Sequence, residues 1–146
     1  MLDTRQMREV DRRTIEEWHV SAAVLMENAG HAVADAIGSV FGDVAGKVVV
    51  VLAGRGNNGG DGFVVSRVLT RRGAVVRTLL VGRREEVGGE ARETLDRLAD
   101  HEILVNEIVT DTDWASVERD VLAADLVVDA IVGTGFQPPL RGVAAT

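Results

Sequence analysis

The sequence contains no cysteine, which excludes disulfides, thiolate catalysis and cysteine-based metal sites. It contains no tyrosine, and aromatic residues fill only 3% of its 146 positions. The core must therefore be built from Val, Leu, Ile and Ala. Positive charge is also scarce, with 16 basic residues against 23 acidic ones and a formal charge of -7. That balance disfavours a broad nucleic-acid surface, and Arg83-Arg84 is too short a basic patch to make one. His19, His31 and His101 show no clustered ligand spacing. No apolar run is long enough to cross a bilayer. The opening residues Met1-Leu2-Asp3-Thr4-Arg5 lack the basic-then-apolar order of a secretion signal. The expectation is a soluble cytoplasmic protein with neither a membrane nor a nucleic acid as partner. Internal repeats and long linkers are also absent.

What is present is an apolar content of 46%, enough for one folded domain with a real core. Residues 3–17 are polar and helix-permissive, with a weak apolar face at Met7, Val10, Thr14 and Ile15 and a cap at Asp3 or Thr4. From Leu25 to Val40, apolar residues recur at three- and four-residue spacings, which predicts an amphipathic helix capped by Ser21. Lys47 to Ala53 lacks alternation and reads as a strand buried on both faces. A helix over about 61–72 follows, with Asp61 at its N-cap position, then a strand at 75–81. The spacing predicts further helices at 90–100 and 113–123, the latter capped by Asp111 or Asp113. A short strand is expected at 103–105 and another buried strand at 126–131. Strands alternating with helices imply an α/β fold with a parallel sheet and right-handed crossovers. The chain closes at Thr146 soon after its last strand, so the expected domain is incomplete. A fragment, a truncated gene product and an unusually small variant all fit that ending.

Between strand and helix lies Gly54-Arg55-Gly56-Asn57-Asn58-Gly59-Gly60-Asp61-Gly62, with five glycines in nine positions. Strand, glycine-rich turn and helix bring backbone N–H groups to a phosphate. The loop lacks the Lys-Ser/Thr pair of a nucleotide-triphosphate loop, and it departs from the usual dinucleotide fingerprint. Its distinguishing feature is two amides and a carboxylate on a tight path, able to hold an ion or read a polar ligand. The same residues also satisfy a plain strand-to-helix turn. Asp129 closes a second apolar strand ahead of Gly133-Thr134-Gly135. It can bind a cation, face a substrate or cap Gly133 and Thr134. If the strand ends adjoin, Asn58 and Asp129 make an oxygen-rich cation site. Both glycine turns leave the carboxyl ends of strands, where open α/β sheets bind ligands. Glu27 and Asn28 interrupt a helix otherwise committed to packing; they either fix a loop or point into a pocket.

Three segments together, Met26-Glu27-Asn28-Ala29-Gly30, Gly54 to Gly62 and Val128 to Gly135, resemble the NAD(P)H-hydrate epimerase family, or YjeF N-terminal domain family. The resemblance implies a Rossmann-like three-layer fold that interconverts the R and S forms of hydrated NADH and NADPH. It implies substrate contacts for Asn57, Asn58, Gly59, Gly60 and Asp61, and for Gly133, Thr134, Gly135, Phe136, Gln137, Pro138 and Pro139. It also implies a potassium ion held by Asn58 and Asp129, a homodimer, and a functional link to an ADP- or ATP-dependent NAD(P)HX dehydratase. NADHX and NADPHX would be substrates rather than hydride carriers. Pro138 stands where the family has an arginine. The family's later Asp-Ile/Val-Pro-Ser-Gly motif has no counterpart before Thr146, so no residue takes the catalytic acid or base role. The isolated chain is accordingly expected to be weak or inactive. The alternative is a non-catalytic nucleotide-binding or scaffold protein on the same fold.

Overall fold

Runs of branched apolar residues make the strands, and amphipathic helices bury them. The computed structural model describes residues 3–18 and 20–133. His19 and the proposed site residues Thr134, Gly135, Phe136, Gln137, Pro138 and Pro139 lie outside the described residues. In chain order the elements are α1 (Thr4–Trp18), α2 (Ala22–Phe41), β1 (Val48–Ala53), α3 (Asn57–Arg71), β2 (Val75–Val81), α4 (Gly89–Asp100), β3 (Val105–Ile108), α5 (Asp111–Ala123) and β4 (Leu126–Ala130). The sheet order is β3-β2-β1-β4, with every pair parallel. This is a three-layer α/β fold. The chain walks outward from β1 to β3 and then returns to place β4 on the other side of β1. That reversal makes the β1–β4 junction a topological switch point.

The larger core packs Val49, Val51 and Ala53 of β1 against α2, α3 and α4, with Phe63, Leu69 and Leu95 fully buried. On the opposite face, α5 lays Trp114, Val117 and Val121 over Val50, Leu79 and Ile108. Among the described residues the buried hydroxyls of Ser66, Thr78 and Thr94 are satisfied, whereas Glu27 Oε2 is buried without a hydrogen-bond partner. Thr78 Oγ1 donates to Ser66 Oγ at 2.9 Å, and Ser66 Oγ donates to Gly62 O at 3.0 Å, tying β2 to α3. Register at the start of the switch is pinned by Asp125. Its Oδ2 accepts from Val48 N–H at 2.8 Å, while its own N–H donates to Val48 O at 2.9 Å.

Several boundaries follow the pattern and several do not. Asp3 caps α1, accepting from Gln6 N–H at 2.7 Å while Gln6 Oε1 accepts from Asp3 N–H at 2.9 Å. Ser21 caps α2 by accepting from Val24 N–H at 3.2 Å. The cap of α5 is Thr110, not Asp111 or Asp113. Asp113 instead reaches back to accept from Thr110 N–H at 2.8 Å, closing a reciprocal box. β3 begins at Val105 rather than Ile103. Ile103 is buried behind α4, with its N–H donating to Leu98 O at 3.0 Å, so it closes that helix's core before the strand starts. β4 is not buried on both faces: Val127 is 41% exposed. Among the described residues β4 is an edge strand, and on the outer face of the sheet α5 packs over β1, β2 and β3.

Candidate functional site

The largest departure from the sequence pattern falls on the glycine-rich stretch. α3 begins at Asn57, so Asn57 to Asp61 form its first turns and Asp61 is not the N-cap. Gly56 is the N-cap and offers no side-chain acceptor. The first helical bond runs from Gly60 N–H to Gly56 O at 3.1 Å. The amides of Asn57, Asn58 and Gly59 precede it and have no acceptor within the helix. They point with the helix dipole toward the carboxyl ends of the strands, an arrangement suited to an anion. Glycine is a poor helix former, yet here its missing side chain is what lets the helix start so early. A Cβ on Gly59 would overlap the Gly54 carbonyl oxygen, and one on Gly54 would overlap the Ile131 carbonyl oxygen.

These close approaches join the two glycine segments. Gly54 N–H donates to Ala130 O at 2.9 Å, extending the β1–β4 ladder past the last strand residues. One turn into α3, a Cβ built on Gly62 would stand 2.8 Å from Ala130 Cβ. Asn58 sits against Gly133, whose Cβ, if built, would lie 3.0 Å from Asn58 Cβ. The structure therefore brings Asn57 to Asp61, Asp129 and Gly133 to one rim at the switch point. Asn57 is exposed, Asn58 and Asp61 are half-buried, and Asp129 is exposed.

The rim has two sides. Strand alternation turns Ala130 toward α3, so Asp129 projects from the other face. Asp129 Oδ1 accepts from Ile131 N–H at 3.0 Å, a local turn bond. Among the described residues Asn58 and Asp129 share no hydrogen bond. Asp61 lies where desolvation by burial, reinforced by the nearby negative charge of Asp11 on α1, pushes its carboxyl up to about 6. The sequence pattern missed Asp11, because it lies on a separate helix far from Asp61 in sequence.

Behind the rim, Met26 of α2 fills the notch left by Gly60, and Thr94 Oγ1 donates to Ala91 O at 2.9 Å beside them. Glu27 turns away from the rim to pair with Arg67 of α3, with His31 Nε2 at 3.4 Å. Burial raises the Glu27 carboxyl, but hydrogen bonding and charge from Arg67 and charge from His31 outweigh it, and the net direction is down. Glu27 is thus a packing anchor between α2 and α3, while Asn28 is exposed. A further pair escaped the sequence pattern altogether: Arg55 of the glycine stretch reaches Glu86 beyond β2, with Nη1 to Oε1 at 3.2 Å. Only the pairing of β1 with β2 brings the two loops side by side.

Residues 22–146 match the family described as YjeF-related protein N-terminus. The chain belongs to that family. Among its relatives, the NAD(P)H-hydrate epimerase of Rhodobacter capsulatus is 38% identical over 147 residues, covering 97% of this chain and 66% of that protein. The bifunctional NAD(P)H-hydrate repair enzyme Nnr of Moorella thermoacetica is 38% identical over 146 residues, covering 99% of this chain and 28% of that protein. The crystal structure of the yeast protein ynu0, YNL200c, superposes with a TM-score of 0.81 at 28% identity, covering 97% of this chain and 60% of that one. The chain thus spans about two thirds of an epimerase relative and little more than a quarter of a bifunctional one. The glycine rim at the switch point is accordingly a feature of a YjeF-related N-terminal fold.

Proposed function

We propose that this chain carries the substrate-binding rim of an NAD(P)H-hydrate epimerase, which interconverts R- and S-NADHX and R- and S-NADPHX in nicotinamide nucleotide repair. The observation that carries the reading is the interlock of the two glycine segments. Gly54 bonds to Ala130 at 2.9 Å, and Gly133 seats against Asn58, which supports a reading in which the amides opening α3 and the β4 rim share one ligand. The pyrophosphate is placed on the N–H groups of Asn57, Asn58 and Gly59, where the helix dipole favours negative charge. The side chains of Asn57 and Asn58 supply further donors and acceptors. Asp61, with its carboxyl raised to about 6, can accept or donate a hydrogen bond near neutral pH. Gly133 stands against Asn58 on the facing side, and the substrate contacts expected of Thr134 to Pro139 belong to the same reading.

A potassium ion fits the chemistry of the available donors, which are oxygens suited to a hard cation. In this reading the Asn58 amide oxygen and the Asp129 carboxylate would hold it, with Asp129 turning from the other face of β4 to reach it, and among the described residues no cluster of three His, Cys, Asp or Glu offers a transition-metal cage. The ion would supply positive charge beside an anionic ligand. Self-association into a homodimer and coupling to an ADP- or ATP-dependent dehydratase belong to the same reading, since epimerisation feeds a stereospecific repair step.

The test is an assay resolving R- and S-NAD(P)HX, with spontaneous epimerisation subtracted, on the wild-type chain and on Asn58→Ala. Weak acceleration above the spontaneous rate, with hydrate binding that Asn58→Ala weakens by about tenfold or more, the loss of one charge-assisted or equivalent contact, is the expected result. Binding of the hydrates at only the spontaneous rate would make the chain a binding module and overturn the epimerase reading.

A further inference from the structure

The carboxyl end of β2 carries cations that the rim described above does not use. β2 ends at Val81, and the next residues are Gly82, Arg83 and Arg84. Arg55 enters the same place from the end of β1, its aliphatic stem lying across Gly82. A Cβ built on Gly82 would stand 2.6 Å from Arg55 Cδ and 2.9 Å from Cγ. Gly82 also has φ +133°, which disfavours any side chain there. Space and backbone at position 82 are thus both reserved for the arginine stem. The guanidinium is held by Glu86, whose Oε1 lies 3.2 Å from Arg55 Nη1 and whose Oε2 accepts from Arg83 N–H at 2.9 Å. Both Glu86 oxygens are engaged in holding these arginines. The Arg55 side chain remains 56% exposed, leaving its other N–H donors accessible. Arg84 is turned away, with Nη1 at 3.6 Å from Asp96 on α4.

In a doubly wound sheet, a dinucleotide with its pyrophosphate on the helix after the first strand lays its adenosine ribose at the end of the next strand. A carboxylate there reads a free 2′-hydroxyl, whereas an arginine accommodates a 2′-phosphate. Here the first charged residues past β2 are arginines, and the carboxylates of Glu86 and Glu107 beside them are already engaged, Glu107 accepting from Arg84 N–H at 2.7 Å. We propose that Arg55 and Arg83 form a subsite for the ribose 2′-phosphate, so that the site favours NADPHX over NADHX. The planar fork of Arg55 suits a phosphate bound through two parallel N–H bonds. The nicotinamide half then lies over the β4 side, by Asp129 and Gly133. The substrate class rests on the epimerase reading, but the subsite is testable with nucleotides that cannot be epimerised.

The experiment is calorimetric titration of the whole chain with 2′,5′-ADP and with 5′-AMP. The expected result is binding of 2′,5′-ADP tighter by about tenfold or more. That preference should collapse in Arg55→Met and in Arg83→Met, recover in part in Arg55→Lys, and persist in Arg84→Met, with circular dichroism confirming that each variant folds. Equal affinity for the two nucleotides, no measurable binding of either, or a preference that survives Arg55→Met would overturn the subsite. Tight 2′,5′-ADP binding without epimerisation would keep the subsite and sink only the epimerase reading. Epimerisation without nucleotide discrimination would do the reverse.

Discussion

At the scale of single residues, Asp61 is the carboxyl that burial lifts well above its ordinary range. Burial, helped by Asp11, raises its carboxyl from 3.8 to about 6. A carboxyl with a raised folded-state pKa binds its proton more tightly in the folded protein, so protonation favours folding. The stability it contributes is present below about 4 and is lost as pH rises through about 6. Above that, an ionised and half-buried Asp61 works against the fold, though solvent reaches it enough to soften the effect. Asp61→Asn should therefore melt higher than wild type at pH 7.5, with the difference disappearing as pH falls below about 4. Thermal denaturation across pH checks this. A variant less stable than wild type at pH 7.5 would mean that the carboxylate is held by favourable contacts instead. Sequence reasoning could single out Asp61 from its place among the glycines, but not its environment, because Asp11 lies on a separate helix.

At the scale of elements, the decisive object is the first turn of α3. By propensity alone Asn57-Asn58-Gly59-Gly60 should not open a helix. Tertiary contact overrides that preference: Gly59 closes on Gly54, Met26 fills the notch at Gly60, and Gly62 meets Ala130. The strand before it and the helix after it were legible from apolar spacing, whereas the four-residue earlier start was not. β3 was misplaced for a similar reason, since Ile103 is apolar on behalf of α4 rather than the sheet. The N-cap offers a way to separate a structural turn from a ligand site. A Cβ built on Gly56 meets nothing within 4 Å, and its backbone is extended, with φ -96° and ψ -166°. Gly56→Asp would supply the missing cap acceptor and should add a few tenths of a kcal/mol, about the usual Gly-to-Asp difference at this position. It would also place a carboxylate on amides assigned to a pyrophosphate. The expected outcome is unchanged or slightly raised stability in urea melts with loss of 2′,5′-ADP and NAD(P)HX binding. Undiminished binding would return the stretch to a turn with no ligand.

At the scale of the whole molecule, the two faces of the sheet are covered unequally, and this asymmetry also places the site. α2, α3 and α4 close one face over β1, while α5 on the other face reaches Val50 and Leu52 but leaves Val127 41% exposed. The alternation of strands and helices made a parallel three-layer fold readable. Which strands would be half-covered was not, because it depends on β4 pairing with β1 across the switch point rather than on any local pattern. Stability should therefore reside on the α3 side. Leu95 of α4 is fully buried in that core, and Leu95→Ala removes its side chain and leaves a cavity, at a cost of about 2–5 kcal/mol. Val127→Thr exchanges a methyl for a hydroxyl at a position already open to water, and should cost no more than about 0.5 kcal/mol. Urea unfolding of the two variants measures the difference directly. Comparable losses would mean that the outer face of β4 is buried in solution by something beyond α5, and that Asp129 on the same face is screened with it.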